Sequence, residues 1–344
     1  MNETSSTQIS IEDLTDLGLR CLSAMGLDDD ERRIVNDVLM YAQLRGNSQG
    51  YIKIVEKSVL PGPDKSEMGI EHRTKAIAHI TANDNIGMVV FHRATKLAID
   101  ACSDCGLSLV TSCGSNSSSG AMGYYAEKIA DAGFIGICMA GSPKVLALHG
   151  SSKPAMGTNP IAVAAPALEE PLVIDMATAA MSYFEVVRRS REGEALPPGI
   201  ASGPDGLPTI SAQAALKGAL HTFGGAKGSA LALAVEILTG PLCGAAMLGD
   251  DADGRGHFIL AIDPAAVGAD IGADFGAESD DKENFQQRMQ TLRRRMLAQI
   301  DREDGTGHLP GMRSQAIAQA HRKAGNLLVS DRLLQQLEAI AENA

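Results

Sequence analysis

The chain has 344 residues, and its 44% hydrophobic and 21% charged residues are typical of a soluble globular protein with one large or two ordinary domains. Its 30 basic and 42 acidic residues give a formal charge of −12, which repels a phosphate backbone and excludes nucleic acid as the expected partner. No apolar run approaches the length that spans a bilayer, and the first ten residues are polar, so we expect a cytoplasmic protein with no membrane partner.

Two helices are predicted near the N-terminus. The first covers residues 10–25, where a capping-box spacing is followed by apolar residues at helical period. The second begins at the acidic residues 28–30, whose charge suits the positive end of the helix dipole, and it ends near Gly46. Ser48 and Gln49 therefore lie in a loop just past a helix end, which is a common position for side chains that contact a ligand.

The central part of the chain alternates between short apolar runs and helical patterns. Apolar runs at 107–112 and 134–140 flank a helical pattern at 121–132, which predicts one β-α-β unit. Three further apolar runs predict strands at 161–165, 172–174 and 258–262. Two further helical patterns predict helices at 91–105 and 230–238. The sequence therefore indicates a layered α/β domain.

A polar segment rich in glycine and proline, 188–210, predicts a long surface excursion that serves as a lid or a dimer arm. Beyond it, apolar stripes at 285–300 and 333–340 predict helices near the C-terminus. Because helices at both ends flank the α/β block, we expect the termini to pack together. The expected domains are a helical one, 1–75 with 280–344, and an α/β one, 76–279.

No metal site is expected. Cys102 and Cys105 have the C-x-x-C spacing of a redox or zinc pair, but no second such pair or close histidine pair completes a site. Small buried hydrophobic residues in a reducing compartment are the better interpretation of the cysteines.

Two loops that open helices offer donors to an anion. The sequence lacks G-x-G-x-x-G after a strand and lacks a Walker A pattern, so it predicts neither a Rossmann nor a P-loop site. Instead, serines at 115–119 precede a helix that opens at Gly120, and residues 224–228 place Lys227 among glycines at another helix start. The alternatives are a serine loop that caps its own helix and a solvated lysine. Asp175, at a strand end, can accept hydrogen bonds from ribose hydroxyls.

Four segments in this order resemble the malate/L-lactate dehydrogenase family, which includes ureidoglycolate, sulfolactate and Δ1-piperideine-2-carboxylate reductases. They are 45–53 (RGNSQGYIK), 115–125 (SNSSSGAMGYY), 157–160 (GTNP) with 175–178 (DMAT), and 224–228 (GGAKG). The resemblance extends over residues 11–344. It implies an α/β fold with a non-Rossmann cofactor-binding domain and a mixed sheet, plus the helical domain formed by both termini. It also implies a homodimer and an NAD(P)-dependent oxidoreductase that moves a hydride to or from the α-carbon of a small carboxylate.

The resemblance also implies the site residues. Ser48 and Gln49 would orient the reacting group, Lys53 would pair with the substrate carboxylate, and Thr158 would lie near the substrate, although Asn-Pro after it is also a turn signal. The cofactor, NAD or NADP, would contact Ser118, Ser119, Gly120, Ala121, Met122, Asp175, Met176, Ala177, Ala226, Lys227, Gly311 and Arg313.

The chain departs from the family pattern at its histidines. The proton-donating histidine of the first signature is Gln49 here, and further histidines are replaced by Ser118 and Ala226, while Lys53 replaces an arginine. Glutamine can donate a hydrogen bond but cannot give up a proton, a step typically worth about 10²–10⁴ in rate. Three interpretations stay open. Another donor such as Tyr51, Lys53 or a Ser48-bound water acts, or the substrate is a cyclic imino acid that already carries the proton, or the protein binds nucleotide without turnover.

Overall fold

A computed structural model of the protein describes residues 5–247, 254–268, 284–300 and 307–342. The helices are α1 (Ile11–Ala24), α2 (Asp29–Leu44), α3 (Ile52–Val55), α4 (Gly87–Cys105), α5 (Met122–Asp131), α6 (Tyr183–Glu192), α7 (Ala212–Ala215), α8 (Ala226–Thr239), α9 (Phe285–Leu297), α10 (Met312–Ala324) and α11 (Asp331–Ala341). The strands are β1 (Ser6–Ser10), β2 (Gly69–His72), β3 (Ile77–Thr81), β4 (Leu107–Ser115), β5 (Ile135–Ala140), β6 (Leu146–Ala147), β7 (Pro154–Met156), β8 (Ile161–Ala165), β9 (Leu172–Met176), β10 (Ala201–Ser202), β11 (Ala219–His221), β12 (Arg255–Ile262) and β13 (Asn326–Ser330).

The largest sheet is mixed, with strand order β2-β3-β4-β12-β5-β8-β9, and it confirms the predicted α/β fold with a mixed sheet. Strands β3 and β4 are parallel, whereas β12 runs antiparallel to both β4 and β5. The predicted β-α-β unit is therefore present as β4-α5-β5, but β12 lies between its two strands. Alternate residues of β12 enter opposite cores, Ile259 with α4 and α5 on one face and Phe258 with α8 on the other, as the two-residue period requires.

The two chain ends meet, as the flanking helices predict. Strand β1 pairs antiparallel with β13, and α1 packs against α11. The Cys21 thiol on α1 donates to the Leu337 carbonyl oxygen at 3.1 Å. The core of these helices continues without a break to the sheet, because Leu14 and Leu337 belong to the same buried cluster as Ile80 and Ile259. This continuity fixes the loop after α2 against the α/β layers.

A smaller sheet, β10-β11-β6-β7, builds a second core that the sequence did not predict. The prediction of a surface excursion at 188–210 is wrong for much of that segment. Helix α6 continues to Glu192, and Leu196 and Ala201 are buried against Val186. Leu207 and Ile210, by contrast, are exposed. Spaced apolar residues among glycines and prolines carry too little periodicity to reveal this packing.

Three details differ from what the sequence predicted: the length of one apolar stretch, the burial of helix α9 and the burial of Cys105. The stretch Ala226–Cys243 is 18 residues long with a mean hydropathy of 1.2, so the prediction that no apolar run reaches spanning length was wrong. Helix α8 packs Ala232 and Val235 against the sheet layers, which is also what a core helix of a soluble protein does. Helix α9 forms where its stripe predicts, but none of its residues is buried. Cys105 is exposed rather than buried.

Candidate functional site

A cavity of about 800 Å³ lies where the loop after α2 meets the start of α5, the end of β9 and the start of α6. Most of the residues proposed from the sequence line it. These are Ser48, Gln49, Lys53, Ser118, Ser119, Gly120, Ala121, Met122, Thr158, Asp175, Met176, Ala177 and Arg313. Segments separated by more than 250 residues thus converge on one space large enough for a cofactor and a small substrate.

Lys53 is a buried cation in the wall of this cavity. Its side chain is about as buried as a core residue, at 1% exposure, and its Nζ donates to Ser118 Oγ at 2.7 Å. The ammonium also lies 3.5 Å from the centre of the Phe184 ring. Burial, and secondarily the charge of Arg255, hold the pKa of Lys53 well below its usual range. The neighbouring Tyr51 is fixed in the core by a hydrogen bond from its hydroxyl to Asn36, which anchors short helix α3.

The loop before α3 places two polar side chains beside this lysine. Ser48 Oγ lies 3.1 Å from Ser182 Oγ at the N-cap of α6, so the two hydroxyls share a hydrogen bond. Gln49 is half-buried, and its backbone N–H donates to Asn47 Oδ1 at 3.0 Å, which fixes the turn. Gln49 can therefore offer an amide to a ligand, but it supplies no titratable proton.

The serine-rich loop does not cap its own helix, so that alternative is wrong. The N-cap of α5 is Ala121, without a side-chain cap. Ser117 Oγ instead accepts from the Gly87 N–H at 2.7 Å, and Ser119 Oγ lies 2.7 Å from Nε2 of buried His257. These bonds tie the loop to residues outside helix α5. The backbone at 118–122 consequently remains part of the cavity wall, at the positive end of α5.

Asp175 stands at the start of α5, at the end of β9. Its Oδ2 accepts from the Gly123 N–H at 2.9 Å, and its side chain is exposed within the cavity. Desolvation by the surrounding protein raises the pKa of Asp175 to about 6, against the opposing effects of the Gly123 N–H and of Arg45. A carboxylate so placed can accept further hydrogen bonds from hydroxyl groups in the cavity.

Arg45 is a site residue whose role the sequence did not reveal. Its Nη2 pairs with Glu127 Oε2 at 2.5 Å, and its guanidinium lies 3.5 Å from the centre of the Tyr41 ring. Its Nη1 is buried without a hydrogen-bond partner among the residues that the structure describes. Arg45 lines the cavity, and its orphaned buried donor is energetically costly. The Arg-Gly start of the first signature was the available signal.

Arg255 is the second residue that the sequence did not reveal. It begins β12, lines the cavity and donates from Nη1 to the Ser117 carbonyl oxygen at 2.6 Å. No motif marked it, because a single arginine before a strand is common in any sequence.

Gly311 does not line the cavity. Its φ is +85°, and a Cβ there would lie 1.8 Å from the Val173 carbonyl oxygen, so this glycine lets α10 begin against β9 and brings Arg313 to the cavity.

Ala226 and Lys227 are not among the cavity-lining residues. They begin α8, behind the segment at 178–180, to which the preceding loop is joined by a hydrogen bond from the Phe223 N–H to the Thr178 carbonyl oxygen. The cofactor role of Lys227 stays a prediction. Thr158 lies in a turn whose next residue, Asn159, has a φ of +38°, and it also lines the cavity. Its role near the substrate stays a prediction.

His149 and His221, which could have replaced the missing histidines, lie outside the cavity wall, as does His257. His221 bonds to Ser202 Oγ and the Gly199 carbonyl oxygen, and His149 lies beside Gly225. His257 is fully buried, and burial lowers its pKa to about 3, so it is neutral at physiological pH. Among the described residues, no group of three histidine, cysteine or acidic side chains could hold a metal ion.

Comparison with known proteins places the chain. Residues 9–338 match the malate/L-lactate dehydrogenase family. The chain belongs to this family. It is 33% identical over 273 residues to the malate/(S)-sulfolactate dehydrogenase of Methanothermus fervidus, covering 75% of this chain and 79% of that protein. It is also 31% identical over 273 residues to the Δ1-pyrroline-2-carboxylate reductase of Pseudomonas fluorescens, covering 74% and 80%.

Its fold matches a solved member as well. The Δ1-piperideine-2-carboxylate reductase of Pseudomonas syringae pvar. tomato superposes with a TM-score of 0.81 at 27% identity, over 98% of this chain and 100% of that one. Dehydrogenases and reductases of small acids are thus its relatives. The match covers both chain ends and the α/β layers.

Proposed function

We propose that this protein is an NAD(P)-dependent oxidoreductase acting on a small 2-oxo, 2-hydroxy or cyclic 2-imino acid. The observation that carries the proposal is the cavity itself, where a helix start with an accessible carboxylate adjoins a buried lysine. The helix start and the accessible carboxylate of Asp175 suit a nucleotide, and the buried lysine suits a small carboxylate substrate. The named activities of the relatives support this substrate class.

The residues present fit a nicotinamide nucleotide. The backbone at the start of α5 would face its phosphates beside Arg45, and Asp175 would accept from a ribose hydroxyl. Gly120 has a φ of +76°, and a Cβ there would lie 2.3 Å from Val38 Cγ1, so only glycine keeps this wall in place. When bound in its reduced form, the cofactor supplies a hydride to the α-carbon.

The other end of the cavity would hold the substrate. Lys53 and Arg255 supply positive charge there, while Ser48, Gln49 and Thr158 offer neutral hydrogen-bonding groups. A small acid would thus be oriented by its carboxylate, and the reacting carbon would face the cofactor end. The homodimer that the family resemblance implies is supported by the exposed apolar side chains of Leu233 and Ile237 on α8.

A catalytically silent nucleotide-binding homologue is the second candidate. The specific observation in its favour is that no histidine lines the cavity among the residues that the structure describes, while Gln49 and Ser118 stand at family histidine positions. Cofactor binding is common to both candidates. Turnover is what separates them.

Turnover is tested with a panel of 2-oxo acids and cyclic imino acids, each with NADH and with NADPH, followed by cofactor absorbance. We expect at least one acid to be reduced with one cofactor, and the matching 2-hydroxy or amino acid to be oxidised in the reverse direction. Cofactor binding measured by fluorescence in the same samples is the control. Tight binding without turnover across the panel would favour the silent homologue.

A further inference from the structure

Two cations contact neighbouring residues of the serine-rich loop from opposite elements. Lys53 on α3 donates to the Ser118 hydroxyl at 2.7 Å, and Arg255 on β12 donates to the Ser117 carbonyl oxygen at 2.6 Å. Both line the cavity, and the charge of Arg255 contributes to the lowered pKa of Lys53. Because Ser117 and Ser118 are adjacent, the two cations lie close together at one end of the cavity.

We propose that the two cations divide the work of the reaction proposed above, on which this inference rests. Lys53 Nζ is the proton donor to the oxygen of a substrate carbonyl, and Arg255 is the main partner of the substrate carboxylate. The assignment reverses the expectation from the sequence, where Lys53 held the carboxylate. It also favours 2-oxo and 2-hydroxy acids as the substrate class, since a protonated cyclic imine needs no such donor.

Elimination among the cavity-lining groups supports Lys53 as the donor. The charged and titratable residues in the described cavity wall are Arg45, Lys53, Asp175, Tyr183, Glu185, Arg255 and Arg313. Arginine side chains do not give up a proton in proteins. Glu185 stays a carboxylate because, although burial opposes it, hydrogen bonds from Arg188 and Arg189 lower its pKa. Burial raises the pKa of Tyr183, which makes it a poorer acid.

Two further groups lie elsewhere. Asp175 accepts from the Gly123 N–H at the start of α5, which is the end of the cavity assigned to the cofactor. Tyr51, the other candidate donor in the first signature, is fully buried and gives its hydroxyl proton to Asn36 Oδ1 at 2.8 Å. It does not reach the cavity wall. Lys53 therefore combines a transferable proton with a position in the wall near the substrate.

The surroundings of Lys53 suit proton transfer better than carboxylate binding. Among the described residues, no acidic side chain forms an ion pair with it, and its ammonium is held by a neutral hydroxyl and the Phe184 ring. Desolvation makes such an ammonium a stronger acid than a lysine in water. The Ser118 hydroxyl, which also lines the cavity, is placed to pass a proton from solvent back to Nζ.

Arg255 suits the carboxylate better. Its planar guanidinium can bind a carboxylate with two parallel hydrogen bonds, whereas an ammonium acts as a point charge. The bond to the Ser117 carbonyl oxygen fixes its orientation in the wall. With the carboxylate on Arg255, the 2-oxo oxygen of the same small acid can point to Lys53.

Hydride transfer to carbon and proton transfer to oxygen occur together in the proposed step. As the α-carbon gains a C–H bond from the hydride of the reduced nicotinamide, the C=O π bond breaks and its electron pair moves to oxygen. An N–H bond of the Lys53 ammonium breaks, an O–H bond forms, and Nζ is left as a neutral amine. The acid would thus be reduced at the expense of the cofactor, which would supply the hydride when bound. In the reverse direction the neutral amine takes the proton from the hydroxyl.

The test compares the kcat and KM of the Lys53→Arg and Arg255→Met variants with those of the wild-type enzyme, for the same 2-oxo acid. Lys53→Arg introduces the residue of the family pattern, keeps the positive charge and removes the transferable proton. We expect its kcat for a 2-oxo acid to fall by roughly 10²–10⁴ while KM changes little. Arg255→Met should raise KM by at least about tenfold and change kcat by much less, as loss of uniform binding does.

A chemical rescue separates proton transfer from a structural role. Lys53→Ala should lose as much of kcat as Lys53→Arg, and added ethylamine should restore rate in proportion to its concentration, while Arg255→Met should show no rescue. A Lys53→Arg enzyme that retains kcat, or a Lys53→Ala enzyme without rescue, would overturn the assignment. If the wild-type protein reduces none of the acids, the proposed function itself fails. An active wild type with a fully active Lys53→Arg variant refutes only the division of roles between Lys53 and Arg255.

Discussion

Replacing Gly120 with alanine is expected to remove most cofactor binding and to lower the free energy of unfolding. Gly120 has a φ of +76°, and its new Cβ would lie 2.3 Å from Val38 Cγ1. We expect the left-handed backbone to cost about 1–2 kcal/mol and the overpacking against α2 a further 1–3 kcal/mol. Relief of the clash is expected to move the segment at 118–122, which we propose as the cofactor wall. Since a 1 Å misplacement can cost about 10²-fold, kcat/KM should fall by that order.

Gly133→Ala is the matched control for this prediction. Gly133 follows the other end of α5, has a φ of +93°, and has no atom within 4 Å of a built Cβ. It carries the same backbone strain without the clash. Unfolding by denaturant and cofactor titration should therefore show some loss of stability in both variants but loss of cofactor affinity in Gly120→Ala alone. Normal cofactor affinity in Gly120→Ala would show that this turn does not face the cofactor.

Asp175→Asn is expected to weaken cofactor binding by roughly 10–100-fold, because a hydrogen bond to a charged group contributes about 1.5–3 kcal/mol. The asparagine keeps the shape and can still accept from the Gly123 N–H, so the start of α5 should remain in place. Calorimetric titration with NADH or NADPH measures the effect. A pH series adds a second readout. The pKa of Asp175 is raised to about 6, so wild-type affinity should decrease as the pH falls through that value and the carboxylate is protonated.

Asp131→Asn is the control, since it removes the same charge from the exposed far end of α5. It should leave both the affinity and its pH profile unchanged. If Asp175→Asn bound cofactor as tightly as wild type, or kept the same loss of affinity below pH 6, the ribose role of Asp175 would be wrong.

The sequence predicted the strongly periodic parts of the fold. Helices α1 and α2, the β4-α5-β5 unit and the strands at 161–165 and 258–262 follow from apolar spacing alone. The small sheet escaped prediction because β6, β7, β10 and β11 have two or three residues each and are held by tertiary contacts. The insertion of β12 between β4 and β5 is a long-range pairing that no local pattern encodes.

The sequence identified those cavity-lining residues that belong to a motif, and it missed those that only the three-dimensional arrangement brings to the cavity. The resemblance located Ser118, Asp175 and Lys53, but their order along the chain did not reveal that Lys53 is buried against Ser118. Arg45 was used only as the start of a motif, and Arg255 lies in no motif. Both become visible once β12 and α2 are brought to the same cavity.

We infer that one cavity joins a cofactor site at the start of α5 to a substrate site at Lys53. A crystal structure with NADH or NADPH and oxamate, an analogue of a 2-oxo acid, tests it most directly. We expect the nicotinamide ring inside the cavity, a ribose hydroxyl on Asp175, and oxamate between the ring and Lys53. A cofactor bound away from residues 118–122 and 175–177, or oxamate out of reach of both Lys53 and Arg255, would contradict it.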